Sequence, residues 1–286
     1  MTTGQRVSAE AAGSFELGEE LAVNRLGFGA MRITGQGIWG PPANHDEALA
    51  VLRRAVELDI NLIDTADAYG PEVSENLIAE ALYPYPEGLV IATKGGQTRQ
   101  GPGEWVPNGR PDYLQRAVDG SLRRLRLDCI DLYQLHRPDP DVPLEESVGA
   151  LKDMQDAGKV RFVGLSNVNT DQLKRAQSIT RIVSVQNKYN MTDRASEEVL
   201  ECCARDGIGF IPWFPLAMGE LAREGSELSR IAEHHHVSPA QVALAWLLHH
   251  SPVMLPIPGT SSVHHLEENV AAASLDLGHE ELAELD

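Results

Sequence analysis

Asp64 closes the apolar run INLID, Tyr69 follows five residues later, Lys94 closes LVIATK and His136 closes CIDLYQLH. An acid, a phenol, a cation and an imidazole at the ends of apolar runs can protonate a carbonyl oxygen while its carbon accepts hydride. The carbon accepts hydride only if the oxygen gains a proton, or equivalent positive charge, as it becomes an alkoxide. Tyr69 can supply that proton, but the ordinary phenol pKa of about 10 is high for the task. A Lys94 ammonium about 4 Å away, at an effective dielectric of about 20, contributes on the order of 4 kcal/mol, or about three pK units. That brings the phenol near neutrality. Asp64 would keep the ammonium charged and oriented, and His136 would hydrogen-bond the carbonyl oxygen. Singly, each residue has a plainer reading: a turn cap, a loop aromatic, a snorkelling lysine, a polar group before RPDP. The set of four points to carbonyl reduction.

The elements that must position these groups alternate along the chain. Apolar stretches of strand length occur at 59–64, 89–93, 129–135, 160–165, 182–186, 208–212 and 253–257. Most lack polar alternation, as strands buried on both faces do. A hairpin turning at Gly18-Glu19 precedes them, followed by a first barrel strand ending near Met31. Helical periodicities fill the intervals 45–58, 73–82, 111–125, 144–158, 170–178, 192–207 and 238–250. Pro111, Thr170 and Thr192 mark starts, and Gly158 and Gly207 mark stops. Eight strands, each followed by helical sequence without a composition break, predict an α/β fold: a single (β/α)8 barrel rather than two doubly wound domains. The barrel is expected over 15–286, with an N-terminal β-hairpin, extra C-terminal helices and a flexible arm over 1–14. Long non-periodic stretches at 32–44, 95–110 and 216–224 all follow strands, on the face where barrel enzymes build pockets.

A net charge of −18 argues against a nucleic-acid partner, which needs clustered Lys and Arg. The one basic cluster, at 123–126, reads as a solvated helix face. No apolar stretch reaches the roughly 20 residues that span a bilayer, and the small, polar N-terminus lacks the pattern of a secretory signal. Cys129, Cys202 and Cys203 cannot build a disulfide framework. A cytoplasmic protein, monomeric or weakly homo-oligomeric, is expected. His234, His235 and His236 lack the i, i+4 spacing of a zinc helix and read as surface, as do His249, His250 and His264; no metal site is expected.

The segments LGFGAMR, NLIDTADAYG, VIATKGG, DLYQLHRPD, GKVRFVGLSN, VQNKYN, PWFPLA and IPGTSSVHHLEENV occur in order over 26–273. Together they resemble the aldo-keto reductases, and GQGIWGPP with EALYPYP resembles the bacterial pyridoxal reductase branch. The resemblance implies a barrel that binds NADP(H), less often NAD(H), without a Rossmann fingerprint. No G-x-G-x-x-G opens a helix after a strand here, in keeping with that. It also implies that Asp64, Tyr69, Lys94 and His136 are a catalytic tetrad with Tyr69 as general acid. Ser166, Asn167 and Gln186 match the side chains that hold the nicotinamide carboxamide, and Trp213 matches the aromatic stacked on the ring. Leu216 to Gly219 match a loop along the pyrophosphate. Gly259, Thr260 and Ser261 match the adenosine-phosphate segment, His265 a neighbouring phosphate ligand, and Glu268 and Asn269 the adenine contacts. A helix beginning near Val263 would put its N-terminal amides beside that phosphate.

Several positions depart from the family pattern. Many members carry lysine and arginine where this chain has Gly259 and His265, so two fixed charges are missing from the 2′-phosphate site. NADP(H) remains the expected cofactor, with NAD(H) not excluded. Phe214 replaces a frequent serine, and the short C-terminus predicts an open pocket. Position after barrel strands nominates Met31, Trp39, Tyr69, Arg137 and Trp213 as pocket walls, with 97–107 nearby. Such walls suit a small or aromatic carbonyl compound, pyridoxal being one candidate. Arg137 is expected to pair with Asp139 or Asp141; the alternative is contact with an anionic group on the substrate. A rival reading is a cofactor-binding regulatory subunit with little turnover, like the potassium-channel β subunits.

Overall fold

Gly18 and Glu19 both adopt positive φ, 61° and 62°, a left-handed pair that reverses the chain tightly. This turn folds β1 (Ser14–Leu17) antiparallel onto β2 (Leu21–Asn24), with Leu17 opposite Leu21. The computed structural model describes residues 6–215 and 226–285. Leu17, Leu21 and Val23 of the hairpin pack with Leu62, Val90, Leu132, Val183, Ile211 and Leu255 inside the barrel. The hairpin therefore stops the end opposite the catalytic face.

Parallel strands β3 (Phe28–Gly29), β4 (Leu62–Asp64) and β5 (Val90–Gly95) come first, followed by a small antiparallel pair, β6 (Gln97–Thr98) and β7 (Val106–Pro107). The parallel sheet continues through β8 (Ile130–Leu135), β9 (Val160–Ser166), β10 (Ile182–Lys188) and β11 (Gly209–Trp213). Helices α1 (His45–Glu57), α2 (Val73–Leu82), α3 (Pro111–Leu125), α4 (Leu144–Asp156), α5 (Thr170–Gln177) and α6 (Glu197–Asp206) lie between strands. After β11 come α7 (Glu227–His235), α8 (Pro239–His250), α9 (Val263–Ala271) and α10 (His279–Leu285). Two larger apolar clusters fill the space between sheet and helices, one around Tyr133, Leu151, Phe210 and Trp246, the other around Phe28, Leu52, Ile63 and Ile78.

The eighth apolar stretch does close the barrel, but not as a strand. Phe210 N–H donates to Val253 C=O at 2.8 Å, Leu255 N–H to Phe210 C=O at 2.8 Å, and Gly27 N–H to Pro256 C=O at 3.0 Å. Pro252, Pro256 and Pro258 have no N–H, so a continuous ladder cannot form and a bridge at Met254 is all that is left of it. A Cβ on Gly29 would lie 2.6 Å from Ile257 carbonyl oxygen, which explains a glycine at this join.

Other elements differ from the sequence expectation for local reasons. The stretch 95–110 folds into the β6–β7 hairpin. The cap of α5 is Asn169, in a reciprocal box with Gln172, and Thr170 is the first helical residue. Thr192 sits in a turn organised by the Asn190 side chain, and α6 begins only at Glu197. Residues 6–13, expected within a flexible arm, are docked: Arg6 and Ser8 bond Asp59, and Ala9 N–H donates to Leu58 C=O at 2.8 Å. Arg124, expected on a solvated face, pairs at 2.6 Å with Glu75, whose side chain is 0 % exposed, and at 3.0 Å with Glu72. His250 is not a plain surface group either, since it stacks on Trp246 and lies 2.7 Å from the Tyr189 hydroxyl. His234 and His235 bond Glu281 of α10, and hydrogen bonding from His235 holds the Glu281 carboxyl down at about 2. Cys129, Cys202 and Cys203 are free thiols, and no helix among the described residues is long and apolar enough to cross a membrane.

Replacing Gly29 by Ala should push the two walls of the join apart at a backbone atom that cannot swing away. A loss of about 1–3 kcal/mol is expected, read as a lower urea midpoint at unchanged slope.

Candidate active site

Asp64 ends β4, Lys94 lies near the end of β5 and His136 follows β8, so strand register brings all three to one rim of the barrel. Lys94 is 0 % exposed, and its Nζ donates to Asp64 Oδ1 at 2.6 Å, to Thr65 C=O at 2.8 Å and to the Tyr69 hydroxyl at 3.3 Å. Asp64 Oδ2 accepts from Gln186 at 2.8 Å and from Gln134 at 3.1 Å. Gln134 was not singled out from sequence, although a polar residue inside the apolar run CIDLYQLH is the available signal. The Tyr69 and His136 rings meet edge-on, centroids 5.8 Å apart. The four residues converge.

Their ionisation differs from what the sequence predicts. Burial pushes the Tyr69 phenol above its ordinary value; Lys94 pulls it down, and Asp64 pushes it up again. The lysine therefore does not bring the phenol to neutrality. Desolvation, which sequence alone does not supply, is the largest cause, and the Asp64 carboxylate adds to it by cancelling part of the lysine's charge. Burial alone would lower Lys94, but Asp64 and Tyr69 outweigh it and the ammonium is held charged. Burial, with Lys94, Arg137 and Arg99 nearby, drives His136 well below the usual imidazole range. At neutral pH the site thus holds a protonated phenol, a neutral imidazole and a charged ammonium. The Tyr69 oxygen accepts from Lys94, and Nδ1 of His136 is buried without a hydrogen-bond partner.

Two cavities meet at Tyr69, sharing Met31, Gln186, Trp213 and Phe214 as walls. The larger, about 570 Å³, runs from Asp64 and Tyr69 past Gly29 and Arg32 to Ile257, Gly259 and His265. The smaller, about 470 Å³, is walled by Trp105, His136, Arg137, Ser166 and Asn167. Asn167, at φ 60°, bonds its neighbours through both ends of its amide: Nδ2 donates to His136 C=O at 3.0 Å and Oδ1 accepts from Trp213 Nε1 at 3.2 Å. Ser166 Oγ donates to Gln186 C=O at 2.8 Å. Thr260, Ser261, Glu268 and Asn269 lie on or beside the first turns of α9, beyond the walls of the larger cavity. One amide there is already used, because Val263 N–H donates to Glu47 carboxylate at 3.1 Å. Leu216 and Gly219 lie outside the described residues.

Trp39 is not a wall of either cavity, contrary to expectation; Trp105 takes that role. Both tryptophans lie against Arg99, which sequence reasoning missed. Its guanidinium lies 3.7 Å from the Trp105 ring centroid and 5.7 Å from that of Trp39. It donates to the carbonyls of Gly37 (3.1 Å), Ile38 (3.0 Å), Ala68 (3.1 Å), Gly101 (3.4 Å) and Glu104 (2.9 Å). One side chain thus ties three loops together, including the one that carries Tyr69. The expected ion pair of Arg137 is not formed: Asp139 instead accepts from the amides of Gly109 and Asp141 at 2.9 Å each.

The aldo/keto reductase family model matches residues 25–286, and the chain belongs to that family. It is an oxidoreductase with the family's barrel. An uncharacterized oxidoreductase of Schizosaccharomyces pombe is 53% identical over 280 residues, covering 98% of this chain and 91% of that protein. Pyridoxine 4-dehydrogenase of Escherichia coli is 46% identical, with coverage of 96% and 97%. The crystal structure of an aldo-keto reductase from Klebsiella pneumoniae in complex with NADPH superposes with a TM-score of 0.80 at 28% identity, covering 96% and 93%.

Arg99→Met removes the donors that hold the three loops. Limited proteolysis should then cut within the three tied loops, at 35–40, 66–72 and 97–107, faster than in the parent protein, with sites outside them unaffected.

Proposed function

We propose that this protein reduces an aldehyde or ketone to an alcohol with NADPH, using Tyr69 as general acid. The observation that carries this reading is the placement of Tyr69, 3.3 Å from the Lys94 ammonium, at the junction of two cavities. The larger cavity suits an extended dinucleotide: Trp213 offers a flat face and Gln186 an amide on the wall shared by both cavities, with Ser166 and Asn167 on the adjoining wall of the smaller one. Arg32 and His265 line the same cavity beside the glycine at 259. The NADPH-bound Klebsiella relative supports the choice of cofactor. When bound, reduced nicotinamide supplies the hydride that reaches the carbonyl carbon.

The chain's own groups supply the rest. Tyr69 gives its proton to the carbonyl oxygen as the C=O π bond opens, and the phenolate left behind is stabilised by the Lys94 ammonium until solvent returns a proton. Asp64 holds that ammonium in place. Neutral His136 hydrogen-bonds the carbonyl oxygen and sets its approach. Trp105, Trp213, Phe214 and Met31 make apolar, largely flat walls for a small or aromatic carbonyl compound. The pyridoxine 4-dehydrogenase of E. coli makes pyridoxal the first compound to try.

Tyr69→Phe should leave NADPH affinity, measured by calorimetry, within about twofold, and slow hydride transfer by about 10²- to 10⁴-fold. Single-turnover absorbance at the nicotinamide band reads the rate, and parental turnover would remove Tyr69 from the reaction. Failure to oxidise NADPH with any member of a panel of aldehydes, diketones and pyridoxal, with tight NADPH binding kept, would instead indicate a regulatory subunit.

The pH dependence follows from the direction of the shifts. The phenol's pKa is raised, so its donating form persists through neutrality and is lost only as pH climbs past that raised value. The imidazole's pKa is lowered, so it is already neutral. The kcat/KM for reduction should therefore be flat from about pH 6 to about pH 9, whereas alcohol oxidation, which needs the phenolate as base, should rise with pH.

A further inference from the structure

We infer that the smaller cavity is built for a carbonyl substrate bearing an anionic group, with Arg137 as its partner. This rests on the reductase reading above and names the class of substrate. The chain as a whole carries a charge of −18, yet no Asp or Glu lines this cavity among the described residues. Two guanidiniums lie at or against its walls. Arg137 is a wall residue, exposed and beside His136, and its nearest acid in sequence, Asp139, is engaged by two backbone amides. Arg99 stacks on the wall residue Trp105 and spends its donors on carbonyl oxygens, and it pairs with no carboxylate among the described residues. The third cation of the region, Lys94, is already matched by Asp64. Among the described residues the cavity is thus an island of uncompensated positive charge in an acidic protein.

The geometry divides the work between the two arginines. With its donors committed, Arg99 contributes field and a rigid aromatic wall. Arg137 has its guanidinium available for two parallel hydrogen bonds to a carboxylate or phosphate. A substrate lying against Trp105 with its carbonyl at Tyr69 and His136 would share the cavity with the Arg137 side chain that lines it. A neutral substrate would leave that charge unmatched.

The test compares 3- and 4-carboxybenzaldehyde with their methyl esters, which keep the ring and the activated aldehyde but lose the charge. With NADPH saturating, the parent enzyme should favour at least one acid over its ester by about tenfold or more in kcat/KM, chiefly through KM. Arg137→Gln should erase that preference, the acid-to-ester ratio of kcat/KM falling to about one, and Arg137→Lys should restore part of it. NADPH affinity, measured by calorimetry, should be unchanged in both variants. Equal use of acid and ester by the parent enzyme overturns the inference, as does a preference that survives Arg137→Gln. A fall in NADPH affinity matching the lost preference would assign Arg137 to the cofactor phosphates and also overturn it. Turnover of neither acid nor ester, nor of any other carbonyl compound, would instead be the failure of the reductase reading.

Discussion

The site depends on one buried ion pair. Lys94 has no contact with solvent, and its ammonium is tolerable there only because Asp64 lies 2.6 Å away and the Thr65 carbonyl accepts a second hydrogen bond from it. Asp64 in turn has its other oxygen saturated by Gln134 and Gln186 from β8 and β10. Four strands therefore contribute to one polar layer, set on a barrel interior that is otherwise apolar. A layer of this kind fixes rotamers, since each donor has one acceptor it must reach. That rigidity aims the remaining Lys94 donor at Tyr69, and with it the electrostatics of the whole cleft.

Charge in this protein is distributed against its own average. The acidic groups lie largely on the outside, and the cations Lys94, Arg32, Arg99 and Arg137 gather at the catalytic face. Anionic ligands, repelled at long range, meet a local field of the opposite sign once inside the mouth, where apolar walls reduce screening. Burial does comparable work on the proton-carrying groups, setting Tyr69 and His136 apart from their solution behaviour in opposite directions.

Much of this was legible in the chain. The tetrad residues each close or follow an apolar run, and a strand end is a position that periodicity can find. The hairpin at Gly18-Glu19 was legible for a similar reason, because two left-handed residues favour a glycine. What escaped depends on three-dimensional neighbours. An arginine in the stretch TRQGPGE has no local pattern to mark it as the tie among three loops, so the choice between Trp39 and Trp105 as a wall could not be made. Arg124 looked solvated because Glu75, its buried partner, is 49 residues away. The run at 253–257 reads as a strand by hydropathy, but its prolines remove the donors a strand would need. The phenol's acidity was misjudged because desolvation is a property of the folded surroundings.

That proline-bounded run has a further consequence. The barrel is zipped shut there by a few backbone hydrogen bonds, those donated by Gly27, Phe210 and Leu255, so the ring can part there at a low cost in local unfolding. Immediately past it, Ile257, Pro258 and Gly259 form a wall of the larger cavity. A molecule gripping that wall binds the closed ring and not the parted one, and so acts as a latch on the whole cylinder. In the cell, the supply of that molecule would then help decide how long the fold survives.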